Sequence, residues 1–187
     1  MSPSGAARQL VVFHKQRAYG DLARGIVPES RQKTTDFIRA IDEVLDANES
    51  LKGVAESKFS GPVAETWSLT AMANNLGLFS RVVTLFGEEF VGDRSYVTLQ
   101  EGEQVPLIHA EFRLENGRWL FCPEPIPQAA AREVAQLALI LRGLQKEVQA
   151  GQQVHQFAAA FELRVIPQIR RIVRLQDVKL AAGTAEP

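Results

Sequence analysis

The stretch from Phe90 to Cys122, FVGDRSYVTLQEGEQVPLIHAEFRLENGRWLFC, most constrains what this chain can fold into. Runs rich in β-branched and aromatic residues alternate in it with turn residues, which is typical of short strands. Asn116-Gly117 stands between two such runs and favours a two-residue hairpin, because both central positions of that turn need a positive φ. The stretch therefore predicts consecutive antiparallel strands joined by tight turns.

Four strands are predicted: one ending near residue 91, then residues 94–100, 104–115 and 118–122. Side chains alternate between the two faces of a strand. One face of the third strand is therefore apolar and consists of Pro106, Ile108, Ala110, Phe112 and Leu114. The other face is mixed and consists of Val105, Leu107, His109, Glu111 and Arg113. Because proline cannot donate to a ladder, Pro106 indicates an edge position or a bulge.

Helical patterns precede this sheet. Residues 6–20 predict a first helix, interrupted at Gly20-Asp21 because glycine weakens helices and aspartate often caps the next one. A short turn over residues 22–26 follows. The clearest amphipathic pattern begins at Pro28 or Ser30 and continues to about Gly53, and a weaker one covers residues 63–76.

Helical patterns also follow the sheet, which three prolines at 123, 125 and 127 bring to an end. Residues 129–150 predict one helix, and residues 154–175 predict another that Pro167 should kink or restart. The tail from Ala181 is expected to be disordered. The predicted fold class is α+β: N-terminal helices packed on a curved antiparallel four-stranded meander, followed by a C-terminal helical pair. The predicted domains are 1–122, a helical extension over 123–180 packed on it, and a flexible tail over 181–187.

Charge and cysteine content exclude several classes of protein. The formal net charge of −1 argues against a general nucleic-acid binder. Cys122 is the only cysteine, which excludes an internal disulfide and a cysteine-based zinc site, and we expect no metal or cofactor. No apolar run is long enough to span a bilayer, and no secretory leader is visible. These features predict a cytoplasmic protein, the alternative being export after removal of a leader.

Three short segments carry a family resemblance. They are YGDL at residues 19–22 followed by IVPES at 26–30, then VGDRSYVT at 91–98, and ENGRW at 115–119. Together with the order of helices and meander, they resemble the nuclear transport factor 2-like superfamily, which includes ketosteroid isomerase and many small bacterial proteins. The resemblance covers roughly residues 6–122.

The resemblance implies a curved sheet that wraps a helix to form a cone with an apolar pocket, and frequent dimerisation through the sheet. It implies no single reaction, because that fold hosts isomerases, dehydratases, ligand binders and adaptors. The chain departs from the family in two places. Residues 63–76 look helical where the family usually has a hairpin, and residues 129–175 lie outside the usual core.

An enzyme of this kind needs a general base or acid inside its pocket. The candidate bases are His109 and His14, with Tyr96 and Tyr19 as orienting donors. A solvent-exposed strand position is the favoured interpretation of His109, because lone polar strand residues usually point to solvent. A surface or helix-packing role is favoured for His14.

Two further sets of residues are candidates for binding. Trp67, Phe112 and Trp119 are predicted to line an apolar pocket, although core packing is the commoner fate of such residues. Four arginines of the last helix are candidates for binding a partner: Arg164, Arg170, Arg171 and Arg174. A solvated face of a packed helix is the favoured alternative for them.

Three hypotheses of function follow. The first is a non-catalytic domain that binds a small apolar ligand or a protein partner. The second is a small cofactor-independent isomerase or dehydratase with a histidine base in an apolar pocket. The third is a structural protein that joins a larger assembly through its C-terminal helices. The absence of an evident acid–base motif favours the first.

Overall fold

The computed structural model describes residues 1–59, 76–102 and 107–183. Its helices are α1 (Pro3–Lys15), α2 (Tyr19–Arg24), α3 (Arg31–Lys58), α4 (Gln128–Gln149) and α5 (Val154–Gly183). Its strands are β1 (Val83–Val91), β2 (Arg94–Glu101), β3 (Ile108–Glu115) and β4 (Arg118–Cys122). The predicted α+β class, with helices before and after a four-stranded antiparallel sheet, is confirmed. None of the helices in these ranges is long and apolar enough to cross a membrane.

The chain divides into two compact units. The first consists of Met1–Arg39 and Thr70–Ile126, and the second of Ala40–Leu69 and Pro127–Pro187. The first unit therefore contains the sheet, and the second contains most of α3 together with the C-terminal helices. The predicted domains, with boundaries at residues 122 and 180, stay a prediction. The predicted helix over 63–76 falls almost wholly outside the described residues.

The sheet is a meander in the order β1-β2-β3-β4, and every neighbouring pair is antiparallel. Its last turn is the predicted one, with Asn116 at φ 50° and Gly117 at φ 74°. The turn between β1 and β2 uses Gly92 at φ 64°. An irregularity in register lies in β1 between Leu85 and Gly87. The bulge or edge predicted at Pro106 lies outside the described residues.

The predicted apolar face of the sheet forms the core of the first unit. Buried side chains on this face include Val97, Leu99, Ala110, Phe112 and Phe121. Helix α1 contacts β1, β2 and β4 and contributes buried Ala7 and Leu10 to the same cluster. The apolar stripe of α1 and the alternation along the strands thus meet, as the amphipathic patterns require. Leu114, at the end of the apolar face, remains 43% exposed.

Hydrogen bonds fix the N-terminal end of α1. The hydroxyl of Ser2 accepts from the Gly5 backbone N–H at 3.1 Å, and the carboxylate of Glu88 accepts from the Ser4 N–H at 2.6 Å. These bonds satisfy two of the donors that a helix start leaves free.

The C-terminal end of α1 corrects a prediction. Arg17 has φ 56°, and the Ala18 N–H donates to the Phe13 carbonyl at 2.9 Å, which closes the helix in a Schellman-type turn. The predicted interruption at Gly20-Asp21 is therefore wrong. The break comes earlier, at Arg17, and both Gly20 and Asp21 lie inside α2.

The segment after α2 covers the free edge of β4. Ile26 forms a parallel bridge with Phe121. The Val27 N–H donates to the Phe121 carbonyl at 3.0 Å, and the Phe121 N–H donates to the Gly25 carbonyl at 2.9 Å. These bonds place α2 beside β4, which builds one wall of the cleft described below.

In the second unit, α4 and α5 pack against each other. Their buried side chains include Leu137, Leu141, Leu144, Phe157 and Val165. The buried side chain of Gln168 donates to the backbone carbonyl of Glu133 at 2.9 Å and to its carboxylate at 2.7 Å. Helix α5 continues through Pro167, so the predicted restart there does not occur, and it ends at Gly183. The first residues of the predicted disordered tail are therefore helical.

Candidate functional site

The first unit contains a cleft between α1, the α2–Gly25 segment and the β3–β4 hairpin. Its volume is about 370 Å³, which falls within the range of roughly 300–1,000 Å³ typical of small-molecule sites. We call it the α1–β4 cleft. The start of α3 borders a second cavity of about 100 Å³, between Lys33, Thr34 and Glu124, which is much smaller.

Helix α1 supplies one wall of the α1–β4 cleft through Ala6, Gln9, Leu10 and Phe13. These residues recur at steps of three and four, so they share one face of the helix. Ala6 and Leu10 are buried and Phe13 is partly buried, whereas Gln9 is exposed. This wall therefore presents mainly Phe13 and the Gln9 amide, because Ala6 and Leu10 expose little surface.

Strand β4 supplies the facing wall through Arg118, Trp119 and Leu120. The Trp119 ring is half-buried, and its centroid lies 5.8 Å from that of Phe90, with the ring planes at 66°. Phe90 belongs to β1 and Trp119 to β4, the two outer strands of the sheet. Strands one and four of a flat sheet lie about 14 Å apart, so these two rings reach across the sheet toward each other.

Some charged side chains of the cleft form ion pairs and others do not. Asp21 and Arg24, one helical turn apart on α2, form an ion pair. Arg118 is exposed, and its guanidinium makes no ion pair or hydrogen bond within the described part of the chain. Among the described side chains that line the cleft, two are therefore cations and one is a carboxylate.

The predicted histidines lie elsewhere. His109 is exposed, its Nδ1 lies 3.3 Å from the Thr98 hydroxyl, and it occupies the sheet face opposite Phe112. His14 is half-buried, with its ring edge-on to Phe79 at 5.6 Å between centroids. Neither lines the α1–β4 cleft. A catalytic role for either stays a prediction.

The predicted tyrosines are also apart from the cleft. Tyr96 is half-buried on β2. The pKa of Arg94 is raised, most strongly by the charge of Glu111 and then by a hydrogen bond to Tyr96. Tyr19 lies under the guanidinium of Arg39, 5.0 Å from the ring centroid. The structure thus does not bring the two histidines and two tyrosines together.

Of the predicted pocket-lining aromatics, Trp119 lines the cleft and Phe112 is fully buried in the core. Trp67 lies outside the described residues. Of the predicted partner-binding arginines, Arg164 pairs with Glu147 at 2.5 Å and Arg171 with Glu133 at 3.6 Å. Arg170 is exposed, and the side chain of Arg174 lies outside the described part of α5.

An ion-pair cluster fastens the loop before α3 to the sheet. The guanidinium of Arg113 contacts the carboxylate of Glu29 at 2.8 Å and also that of Glu115. Hydrogen bonds to Glu115 and then Glu29 raise the pKa of Arg113. The pKa of Glu29 is lowered, most strongly by a hydrogen bond between its carboxylate and its own backbone, and less strongly by Arg113. We assign a structural role to these residues, because none of them lines the α1–β4 cleft.

Cys122 is expected to react slowly with thiol reagents, because burial raises its pKa to about 11. The thiolate is the reactive form, and a rise from the ordinary value of 9.0 lowers its fraction at pH 7 by about 100-fold. The rate of iodoacetamide alkylation, followed by mass spectrometry from pH 7 to pH 11, should rise throughout this range. The urea-unfolded chain is the control, and equal rates for folded and unfolded protein at pH 7 would contradict the prediction.

Within the described ranges, no group of three or more His, Cys, Asp or Glu side chains is arranged to hold a metal ion. No family model, curated protein or solved structure matches this chain. The assignment of the site therefore depends on the geometry of the α1–β4 cleft itself.

The sequence patterns did not single out Gln9, Arg24 or Arg118 as functional residues. Gln9 is the one polar residue on the cleft-facing stripe of α1, between Ala6 and Phe13, and that position was a usable signal. Arg118 directly precedes Trp119 in the hairpin, but side chains alternate along a strand, so this adjacency was not a signal that both line one site. No pattern indicated that these two segments face each other.

Proposed function

We propose that this protein is a non-catalytic binding domain and that its site is the α1–β4 cleft. The observation that carries the proposal is a cleft of about 370 Å³ that is lined by both apolar and polar residues. Phe13 and Trp119 offer the apolar surface, while Gln9 and Arg118 stand at the rim. Most small-molecule sites combine an apolar lining with a few polar groups that orient the ligand.

Binding is favoured over catalysis by the chemistry of the lining. A general base must lie within hydrogen-bond reach of the proton that it removes. Among the described residues that line the cleft, Asp21 is the one with a carboxylate, and it is already paired with Arg24. The two candidate histidines do not line the cleft, so the isomerase or dehydratase alternative has less support than binding.

Several finer proposals accompany this one. The resemblance to the nuclear transport factor 2-like superfamily was based in part on the order of helices and meander. Membership of that superfamily is part of the proposal. A cytoplasmic location, a homodimer and a protein partner also stay proposals. Size-exclusion chromatography with light scattering tests the homodimer, and a monomeric mass would contradict it.

Fluorescence titration with N-phenyl-1-naphthylamine, a neutral aromatic probe, tests the proposed site. We expect saturable binding that Phe13→Gln weakens by roughly five- to tenfold, because apolar contact area is lost from the cleft wall. The matched control is Val12→Gln, since Val12 is the preceding residue of α1 and does not line the cleft. This control should bind the probe as the unaltered protein does.

Two results would contradict the proposal: no saturable binding, or equal weakening by Phe13→Gln and Val12→Gln. Phe13 packs partly against the core, so far-UV circular dichroism must show that the variant is folded. Trp119→Leu, which alters the facing wall, provides a second test if Phe13→Gln is unfolded. It should also weaken probe binding.

A further inference from the structure

We propose that the α1–β4 cleft takes a short extended peptide segment, which pairs through its main chain with the open edge of β4 at Trp119. This inference rests on the proposed function and specifies the chemical class of the ligand. It depends on the position of the cleft, which lies beside a stretch of strand edge that the chain itself pairs only in part.

The lining of the cleft carries the first step. Three consecutive residues of β4 line it: Arg118, Trp119 and Leu120. Because side chains alternate between the two faces of a sheet, three neighbours border one cleft where the cleft lies beside the strand rather than over one face. A ligand in this position therefore meets the main chain of β4.

The hydrogen bonds of Phe121 carry the second step. Its N–H donates to the Gly25 carbonyl at 2.9 Å, and its carbonyl accepts from the Val27 N–H at 3.0 Å. Both main-chain groups of Phe121 thus point away from β3. In an antiparallel pair this orientation recurs at every second residue, and the register of β3 and β4 is regular. The N–H and carbonyl of Trp119 therefore point to the same edge.

The third step is that this edge is covered at Phe121 but not at Trp119. Before Gly25 the chain belongs to α2 and does not continue along β4, and the Gly25 N–H donates to the Leu22 carbonyl at 3.0 Å. Within the described part of the chain, no hydrogen bond from outside the β3–β4 ladder reaches the main chain of Trp119. An unpaired strand edge is a template for another extended chain.

The pairing at Phe121 also indicates what a ligand must supply at Trp119. Ile26 lies opposite Phe121, is 0% exposed, and is flanked by the carbonyl and the N–H that bond Phe121. A ligand residue opposite Trp119 supplies one carbonyl and one N–H in the same way. The mixed lining of the cleft suits this class, because a peptide combines a polar main chain with side chains that pack on either side.

A matched pair of small diamides tests this inference. The probe is N-acetyl-phenylalanine N′-methylamide, a single residue flanked by two amides, and it should displace N-phenyl-1-naphthylamine from the cleft. The control is the analogue in which a methyl group replaces the hydrogen on both amide nitrogens. This analogue keeps the carbonyls and the aromatic side chain. We expect it to bind roughly five- to tenfold more weakly, because it cannot donate to the Trp119 carbonyl.

Hydrogen exchange measured by NMR locates the bound probe. Without probe, the Trp119 N–H should exchange roughly tenfold faster than the Phe121 N–H, which is bonded to Gly25. Probe at ten times its dissociation constant should slow exchange at Trp119 by about tenfold, because only the unbound fraction exchanges freely. Exchange at Phe121 should not change.

The outcomes separate the two proposals. If N-phenyl-1-naphthylamine binds but the diamide does not displace it, or if the two diamides bind equally, the peptide class is overturned and the binding function stands. If the Trp119 N–H is protected without probe, the chain itself or a second copy covers this edge, and the peptide class is again overturned. If the unaltered protein does not bind N-phenyl-1-naphthylamine, the proposed function fails, and this inference falls with it.

Discussion

Replacing Phe112 with alanine is expected to lower the free energy of unfolding by about 3–5 kcal/mol. The Phe112 side chain is 0% exposed in the middle of β3, and its ring lies 5.6 Å from that of Phe121. Alanine would remove this ring from the core cluster and leave a cavity. Because single domains are stable by only about 5–15 kcal/mol, the loss should be conspicuous in urea unfolding followed by circular dichroism.

Phe86→Ala is the matched control for this prediction. It makes the same chemical change in the same sheet, but Phe86 is 59% exposed. A surface substitution of this kind should change the free energy of unfolding by roughly 0.5 kcal/mol. Similar losses in the two variants would show that Phe112 is not in the core, and would contradict the register of β3.

The second large effect is expected in the helical unit. Leu141→Ala should lower the free energy of unfolding by about 2–5 kcal/mol, because Leu141 is fully buried on α4. The size of the loss depends on how far neighbours such as Leu137 and Leu144 close the cavity. Urea unfolding followed at 222 nm, where helices dominate the signal, is the appropriate measurement.

The same helix supplies a control for Leu141. Leu139 lies two residues earlier and is 59% exposed, so Leu139→Ala removes the same atoms from the opposite side of α4. Its effect should stay within roughly 0.5 kcal/mol. A larger loss from Leu139→Ala than from Leu141→Ala would mean that the buried face of α4 is assigned to the wrong residues.

The sheet could be predicted from the sequence because its determinants are local. Gly92-Asp93 and Asn116-Gly117 select tight turns, and a two-residue turn fixes the register of the strands that it joins. The alternation in β3 then identified the buried face, as Ala110 and Phe112 confirm. The order of helices and strands was predictable for the same reason.

The end of α1 could not be predicted in the same way. Glycine weakens helices and aspartate often caps the next one, so the break was predicted at Gly20-Asp21. The helix instead ends with Arg17 in the left-handed position that glycine usually occupies, at φ 56°. The surrounding hydrogen bonds hold the arginine in this conformation, and the residue type alone does not predict it.

The α1–β4 cleft was predictable only in part. Trp119 was a candidate because large aromatic residues are uncommon and often line sites. The ion pair between Asp21 and Arg24 is local to α2, but the position of these two residues near Arg118 depends on α2 lying beside β4. That placement results from the bridge between Ile26 and Phe121, and no local pattern announces a bridge between such distant residues.

The bonds that join the N-terminal segment to the sheet also have a consequence for the order of folding. Ser4 bonds Glu88, and Glu29 bonds Arg113, and each pair is separated by 84 positions along the chain. Closing a loop of that length costs about 4 kcal/mol in chain entropy, whereas each hairpin closes only a few residues. During synthesis, α1 and α2 therefore leave the ribosome long before their partners exist. The hairpins should form first, and the cleft should be completed last.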